Sequence, residues 1–302
     1  MPAPARILIT GAEGFVGGHL LRELAARFPA ASFYTERFDV TDVEAVAAAF
    51  TAFQPEACVH LAAIASVPDA RRDPARAFAV NLGGTLNVAM AILSTAPACR
   101  LVYVGSSESY GASFRAGVAL DETAPLAPLN VYAASKAAAD LAMGAMAAES
   151  GLRVIRFRPF NHTGPGQSEA FVIPAFAAQI ARIEAGAQAP VIRVGNLEPE
   201  RDFLHVADVV RAYVLALERF DELPAGTVFN LASGQPRRIG DILAAMIARA
   251  SVPIRVEVDP ARLRPVEIMR AVGDATKARE VLGWTVSAGF RLSFVGENGR
   301  DE

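Results

Sequence analysis

The fold is decided by the stretch Arg6-Ile7-Leu8-Ile9-Thr10-Gly11-Ala12-Glu13-Gly14-Phe15-Val16-Gly17, which a helical pattern from His19 to Leu24 follows. Residues 6–10 are apolar enough for a buried strand, and the three glycines after it stand at the spacing G-x-x-G-x-x-G. Glycines at this spacing let the backbone turn tightly from a strand into a helix and approach a pyrophosphate, whose charge then lies at the helix N-terminus. We therefore predict a dinucleotide-binding turn at the start of the chain.

Four further apolar runs, at residues 32–35, 57–61, 101–104 and 154–157, predict strands that alternate with helical patterns. Such alternation forms βαβ units and a parallel sheet, whose ligands lie at the carboxyl ends of the strands. We predict an α/β protein with a Rossmann-type doubly wound parallel sheet over residues 1–158 and a smaller C-terminal substrate-binding domain, mainly over residues 159–302. Residues from about 191 to 232 are expected to return in part to the first domain.

Composition and charge limit the classes of partner. Of the 302 residues 52% are hydrophobic, and 29 basic against 32 acidic side chains give a net charge of −3. This balance produces no bulk field that attracts nucleic acid or an anionic membrane, so we expect neither as a partner. Cys58 and Cys99 lie in or beside apolar runs, which is typical of buried reduced thiols and not of a disulfide or metal site. The N-terminus lacks the apolar stretch of a signal peptide, and no run approaches the roughly 18 residues of a membrane span. The sequence thus indicates a cytoplasmic protein without a bound metal.

Tyr132 and Lys136 stand at the head of an Ala-rich helical pattern. Because four residues make about one helical turn, the phenol and the ammonium share a face of that helix. A fixed cation beside a phenol lowers the tyrosine pKa from about 10 and makes the hydroxyl a proton donor or acceptor near neutral pH. An ordinary surface helix can carry the same two residues, so the pair predicts acid/base chemistry only together with other signals.

Two adjacent residues bear on the choice between NAD and NADP. Glu36 and Arg37 follow the second predicted strand, about twenty positions beyond the glycines, where an acidic group favours the ribose hydroxyl of NAD and an arginine favours the 2′-phosphate of NADP. The two residues therefore leave the choice open. Asp39 could reach the adenine or cap the turn that follows it, and His60 is expected to be a packed strand-end histidine rather than a ligand.

These signals together resemble the extended short-chain dehydrogenase/reductase family over about residues 5–285. The motifs are T-G-x-x-G-x-x-G at 10–17, H-L-A-A at 60–63, Asn81, Ser106, and Tyr132 with Lys136. The resemblance implies a catalytic triad. Tyr132 would pass the proton to or from the substrate oxygen, Lys136 would lower the tyrosine pKa and hold the nicotinamide ribose, and Ser106 would polarise the carbonyl. Hydride transfer to a carbonyl carbon leaves charge on oxygen, which needs such donors.

The same resemblance implies NADP or NAD as the cofactor, with NADPH favoured. The residues expected to contact it are Gly11, Glu13, Gly14, Phe15, Val16, Gly17, Arg37, Asp39, Val40, Leu61, Ala62, Ala63, Asn81, Tyr132, Lys136 and Pro159. A homodimer formed through two long helices of the cofactor domain is also implied. The side chains that could pack between subunits are Ala137, Ala138, Leu141, Ala142, Ala145 and Met146.

The second half of the chain carries motifs for a diphosphate substrate. Arginine forks give paired bonds to anionic oxygens, although Arg201 and Arg264 could instead make surface ion pairs. In the family that the chain resembles, the motifs beginning at these two arginines mark a nucleotide-diphosphate-sugar site. The expected substrate contacts are Ser107, Glu108, Asn161, Val172, Arg201, Arg264 and Glu267.

Four segments, at residues 105–111, 158–167, 194–203 and 263–267, are similar to family members that reduce GDP-4-keto-6-deoxy-D-mannose to GDP-D-rhamnose. Glu108 is a further catalytic candidate, because related 4,6-dehydratases need an extra acid/base group there. The presence of Glu108 therefore does not distinguish a reductase from a 4,6-dehydratase. The alternatives are a nucleotide-sugar 4-epimerase or 4,6-dehydratase with tightly bound NAD and, outside enzymology, a redox-sensing Rossmann module. After Trp284 a polar tail replaces the family's closing helix, and we expect residues 296–302 to be loose.

Overall fold

The computed structural model describes residues 3–263 and 268–287. The predicted substrate contacts Arg264 and Glu267, and the predicted loose tail, lie outside the described residues.

Strands and helices alternate through most of the described chain. The strands are β1 (Arg6–Thr10), β2 (Ser32–Tyr34), β3 (Ala57–His60), β4 (Arg100–Val104), β5 (Val154–Pro159), β6 (Asn161–Thr163), β7 (Val191–Val194), β8 (Glu200–His205), β9 (Val228–Leu231), β10 (Pro236–Arg238), β11 (Arg255–Val258) and β12 (Arg270–Ala271). The α-helices are α1 (Phe15–Arg27), α2 (Val43–Phe53), α3 (Val67–Arg72), α4 (Pro74–Phe78), α5 (Thr85–Thr95), α6 (Val131–Ser150), α7 (Val172–Glu184), α8 (Val206–Glu218), α9 (Ile239–Ile247) and α10 (Thr276–Leu282).

A parallel sheet of six strands, in the order β2-β1-β3-β4-β5-β9, forms the larger part of the molecule. Its inner strands are buried on both faces, which explains their near-continuous apolar sequences. The strand order reverses at β1, because β2 lies on one side of it and β3 on the other. Ligands of doubly wound sheets bind in the crevice at such a reversal. The predicted Rossmann-type α/β fold is confirmed.

Helices cover both faces of this sheet. Alternate residues of β1 point to opposite faces, so Ile7 and Ile9 pack in a core with α1, α8 and α10, while Leu8 packs in a second core with α2, α5 and α6. Asn130 begins α6 by accepting a hydrogen bond from the Ala133 nitrogen at 2.8 Å. This cap fixes where the helix that carries Tyr132 and Lys136 starts.

A buried ion cluster attaches α6 to β5. The carboxylate of Asp140, one turn beyond Lys136, accepts hydrogen bonds from Arg156 at 2.7 Å and from Arg158 at 2.9 Å. Arg158 also donates to the Tyr110 hydroxyl at 3.0 Å. The cluster therefore holds α6, the helix that carries Tyr132 and Lys136, to β5.

The helical segment Pro74–Thr95 departs from the sequence prediction. It has 22 residues, and its most apolar 18-residue window has a mean hydropathy of 1.5, so by length and composition it could cross a membrane, although no run of that kind was predicted. Half of that window is buried, and Val88 and Ile92 pack in the second core of the sheet. A core helix of an α/β domain has the same composition, because it is apolar on most of its surface.

The second half of the chain forms a smaller unit beside the carboxyl edge of the sheet. β8 pairs with β6, β10 and β12, and β7 pairs with β11. A third core contains side chains of α7, β7 and α9. Within residues 191–232, β9 lies in the large sheet and α8 packs on α1, while the boundaries at residues 158 and 159 stay a prediction.

Candidate active site

A cavity of about 1110 Å³ lies at the carboxyl ends of β1, β3, β4 and β5 and extends to α7 and β7. The predicted cofactor contacts that line it are Gly11, Glu13, Gly14, Phe15, Val16, Gly17, Arg37, Asp39, Val40, Leu61, Ala62, Ala63, Tyr132, Lys136 and Pro159. The predicted catalytic and substrate residues that line it are Ser106, Ser107, Glu108, Asn161, Val172 and Arg201. One cavity thus brings together residues that are far apart in the chain.

The glycine turn is shaped to hold an anionic group. Gly11 has φ of +69°, and a Cβ there would lie 2.9 Å from the Ala62 nitrogen, so only glycine fits between β1 and the end of β3. A Cβ at Gly17 would lie 2.4 Å from the Ala12 oxygen. Gly14 begins α1 without a side-chain cap, and the first turn carries no acidic residue. The helix N-terminus therefore fits a pyrophosphate.

His60 is packed inside the fold, as we predicted from the sequence. Its ring bonds to the Thr10 hydroxyl at 2.7 Å and to the Thr85 hydroxyl at 3.0 Å, so it connects β1 and β3 with α5. The Ala62 nitrogen donates to the same Thr10 hydroxyl at 3.2 Å. Burial lowers the pKa of His60 to about 3, which keeps the imidazole neutral.

Asn81 is not among the residues that line the cavity, and its predicted contact with the cofactor stays a prediction. Its side chain is fully buried and bonds to both backbone groups of Ile64, at 2.8 and 3.1 Å, and to the Ser135 hydroxyl at 2.9 Å. Ile64 does line the cavity. Asn81 therefore fixes the turn that follows β3.

The adenosine end of the cavity is built from charged side chains. The Asp39 carboxylate accepts hydrogen bonds from the Thr41 nitrogen at 2.9 Å and the Thr41 hydroxyl at 2.7 Å, and Arg76 lies 3.2 Å away. These bonds lower the pKa of Asp39 to about 2. The side chain of Arg37 is 85% exposed, with its nitrogen 3.8 Å from the Glu13 carboxylate. Asp39 thus caps the turn and also faces the cavity.

Arg76 is a cavity residue that the sequence did not point to. It lies on α4, 37 positions beyond Asp39, which is in the loop after β2, and no motif marks it. Only the tertiary fold brings the two side chains together.

The three predicted catalytic residues converge. Ser106 lies two residues beyond the end of β4, within hydrogen-bonding reach of Tyr132. Its hydroxyl also accepts a hydrogen bond from the Glu108 nitrogen at 3.2 Å. The Lys136 ammonium donates to the Val104 carbonyl at 2.5 Å and lies 5.1 Å from the centroid of the Tyr103 ring. The arrangement places two hydroxyls and one cation at the same end of the cavity.

The pKa of Tyr132 corrects one expectation. Burial and, to a smaller extent, the Glu108 charge raise it, the hydrogen bond with Ser106 opposes the rise, and the pKa is about 12. The expected lowering of this pKa is wrong for this structure, because the desolvation of the phenol outweighs its hydrogen bond with Ser106. Burial also lowers the pKa of Lys136 to about 8, against the charge of Asp140. Tyr132 therefore carries its proton at neutral pH.

The groups on the substrate side come from several elements. Asn161 is on β6, Val172 begins α7, and Arg201 is on β8. Arg201 is 8% exposed, and its guanidinium donates to the Glu200 carbonyl at 2.9 Å. Glu108 is half-buried and accepts a hydrogen bond from Asn130 at 3.3 Å, so the residue that caps α6 also orients this carboxylate.

Within residues 3–263 and 268–287, no group of three or more histidine, cysteine or acidic side chains could hold a metal ion. Cys58 and Cys99 are buried and free, and burial raises the pKa of both thiols.

Comparison with known proteins decides the family. Residues 7–232 match the profile of the NAD dependent epimerase/dehydratase family. The chain belongs to this family. The membership confirms the predicted family, and with it an enzyme that acts on a nucleotide sugar and uses a nicotinamide dinucleotide.

Relatives within the epimerase/dehydratase family differ in activity. The chain is 37% identical over 281 residues to GDP-6-deoxy-D-mannose reductase of Pseudomonas aeruginosa, with 92% of this chain and 91% of the relative covered. The structure of RMD from Pseudomonas aeruginosa complexed with NADPH has a TM-score of 0.84 and 34% identity, with 96% of each chain covered. UDP-glucose 4-epimerase of Thermus thermophilus in complex with NAD also has a TM-score of 0.84, at 28% identity, covering 96% of this chain and 97% of that one.

Proposed function

We propose that this enzyme reduces the C4 ketone of GDP-4-keto-6-deoxy-D-mannose with NADPH and forms GDP-D-rhamnose. The observation that carries the proposal is the single cavity in which Ser106, Tyr132 and Lys136 lie between the glycine turn and Arg201. The 37% identity with a GDP-6-deoxy-D-mannose reductase supports the choice of sugar.

The residues that would hold the cofactor are already arranged for it. The glycine turn at Gly11–Gly17 would hold the pyrophosphate, and Lys136 would hold the nicotinamide ribose. When bound, the cofactor supplies the hydride. We propose NADPH because Arg37 and Arg76 line the adenosine end of the cavity, where guanidinium groups favour a 2′-phosphate. The relative whose structure contains NADPH supports the same choice.

Ser106 and Tyr132 would bind the ketone oxygen. Two hydroxyl donors stabilise the negative charge that develops there during reduction. Because the pKa of Tyr132 is raised to about 12, its proton is present at neutral pH and can pass to the new alkoxide, which is the more basic group.

Arg201 would bind the diphosphate of the substrate, since a guanidinium fork matches two anionic oxygens. Asn161, Ser107 and Val172 would contact the sugar from the neighbouring walls of the cavity. Arg264 and Glu267 are proposed as further contacts from their sequence motif alone.

The direct test is turnover of GDP-4-keto-6-deoxymannose with NADPH, followed by NMR of the product. We expect NADPH oxidation and a C4 alcohol with the rhamnose configuration. Conversion of a nucleotide sugar that still carries its C4 and C6 hydroxyls, without added cofactor and by a protein that retains NAD through purification, would instead identify an epimerase or dehydratase. NADPH oxidation no faster than that of a Tyr132→Phe variant would rule out the proposed reduction.

We also propose a cytoplasmic homodimer, which pairs α5 and α6 of two subunits. Met90 on α5 is 58% exposed and Leu141 on α6 is 60% exposed, and the two helices are neighbours. Of the six side chains predicted for this contact, Ala137 is buried and Ala142 and Met146 pack on the core of their own subunit. The other three, Ala138, Leu141 and Ala145, would pack against the second subunit.

A further inference from the structure

Tyr213, on α8, combines two features that conflict in the free protein. Its side chain is 0% exposed, yet it contributes to the wall of the active-site cavity. Its hydroxyl is buried and has no hydrogen-bond partner among the described residues. Since buried polar groups are nearly always paired, a hydroxyl of this kind calls for a partner outside the fold.

The other two buried tyrosines of the fold show the contrast. The Tyr110 hydroxyl donates to Asn230 at 2.8 Å and accepts from Arg158 at 3.0 Å. The Tyr103 hydroxyl donates to the Lys136 carbonyl at 3.3 Å. Neither residue lines the cavity. Of the three buried tyrosines, only Tyr213 lines the cavity, and it is also the one whose hydroxyl has no partner among the described residues.

The position of Tyr213 indicates which half of the cavity it serves. Its ring packs on Phe157 of β5, with centroids 5.0 Å apart, and Phe157 pairs with Val104 just before the catalytic Ser106. Burial raises the pKa of Tyr213, and the charge of Tyr132 adds to the rise. Tyr213 is therefore below the catalytic end of the cavity.

The helix that carries Tyr213 packs on the cofactor helix. α8 lies against α1, and Val206 at its start is in contact range of Gly164, which also approaches Phe15 at the start of α1. Side chains on a helix lean toward its N-terminus, so the Tyr213 hydroxyl is directed to this shared end. The sugar-side walls, in contrast, are formed by α7, β7 and β8.

We infer that Tyr213 is a further cofactor-binding residue, whose hydroxyl bonds to the nicotinamide half of the bound dinucleotide, directly or through one water. The inference rests on the family's cofactor and not on the proposed sugar. It follows that this hydroxyl contributes to cofactor affinity and nothing to the stability of the free protein.

The test compares Tyr213→Phe with a matched control, Tyr110→Phe, by thermal unfolding and by calorimetric binding. The ligands are NADP⁺ and its adenosine half, 2′,5′-ADP, with NAD⁺ and ADP run in parallel. For Tyr213→Phe we expect an unfolding temperature of the free protein at or above that of the native chain. We expect about tenfold weaker binding of the dinucleotide, equivalent to about 1.4 kcal/mol, and unchanged binding of the adenosine half.

Tyr110→Phe should behave in the opposite way, because its hydroxyl is paired inside the fold. Its free protein should unfold at a lower temperature, and its affinities for the dinucleotide and the adenosine half should keep their native ratio. Equal affinity of Tyr213→Phe and native protein for the dinucleotide would overturn the inference. So would equal losses for both ligands, or a lowered unfolding temperature of the free Tyr213→Phe protein. None of these measurements uses a sugar substrate, so they stand whether or not the reductase assay succeeds.

Discussion

Position 132 places a protonated phenol where the proposed reduction would need a proton. Burial keeps the proton on Tyr132, and Ser106 shares the hydrogen-bonding end of the cavity. The neighbouring cation of Lys136 is engaged by the Val104 carbonyl. The local environment therefore makes the tyrosine an acid rather than a base at neutral pH.

Replacing Tyr132 with phenylalanine should lower kcat by about 10²- to 10⁴-fold, the usual contribution of a positioned proton donor. The fold should be unaffected, because a phenyl ring fills the same space. Steady-state rates of NADPH oxidation measure the effect. Tyr34→Phe, on the edge strand β2 and outside the cavity, is the control and should keep the native rate. A Tyr132→Phe rate within threefold of native would contradict the assigned role.

His60 should make the stability of the protein sensitive to acid. Its pKa is about 3 in the fold and about 6.5 in the unfolded chain, so between these values the unfolded chain binds more protons and stability falls as pH falls. From pH 6.5 to 4.5 this loss should be about 2 kcal/mol.

Urea unfolding at the two pH values measures this loss. A His60→Asn variant should lose about 2 kcal/mol less than the native protein over the same interval. His19→Asn, at a half-exposed position on α1, should lose as much as the native protein. Equal losses in the native and His60→Asn proteins would show that the buried imidazole does not carry the effect.

At the scale of elements, the glycine turn and α1 act as one unit. Gly17 and Gly18 are adjacent residues of the same helix, but a Cβ at Gly17 would overlap the Ala12 carbonyl, whereas a Cβ at Gly18 would meet nothing within 4 Å. An alanine at position 17 therefore tests the effect of crowding the turn, and an alanine at position 18 tests the effect of helix propensity alone.

Gly17→Ala should weaken NADPH binding by about tenfold or more, because the turn must move away from its pyrophosphate-binding shape. Gly18→Ala should leave binding unchanged and raise the free energy of unfolding by about 0.5–1 kcal/mol, the difference in helix propensity. Fluorescence titration and urea unfolding give the two quantities. The same affinity in both variants would contradict the account of the turn.

Local patterns predict these elements well. Apolar runs predict β1, β3, β4 and β5 because strands buried on both faces leave little room for polar side chains. The four-residue spacing of Tyr132 and Lys136 predicts their shared face because one helical turn fixes it. Signals of this kind depend only on neighbours in the chain.

Contacts that depend on tertiary packing were not predictable from the sequence. Arg76 on α4 bonds to Asp39 in the loop after β2, although the two are 37 positions apart in the chain. The pKa of Tyr132 depends on how completely the fold excludes water from the phenol. In the sequence of the amphipathic helix α8, Tyr213 is indistinguishable from the other apolar side chains that face the core. Only its unpaired hydroxyl in the fold distinguishes it.

At the scale of the whole molecule, the exposed apolar side chains of α5 and α6 predict the oligomeric state. The native chain should have the mass of a dimer by light scattering at micromolar concentration. Leu141→Glu should give a monomer, because a charge would be buried between the paired helices. Val118→Glu, at a position that is also 60% exposed but lies on neither helix, should remain a dimer. A monomeric native protein would count against the proposed pairing.

The buried carboxylate of Asp140 constrains how this enzyme can change over evolutionary time. Two guanidinium groups share it, and removal of the carboxylate alone would strand both charges away from water. A neutral residue at any one of the three positions is therefore a step into a less stable intermediate. Positions 140, 156 and 158 can therefore be substituted only together. We expect the residues at the junction between α6 and β5 to vary far less among related sequences than the loops that determine which sugar is bound.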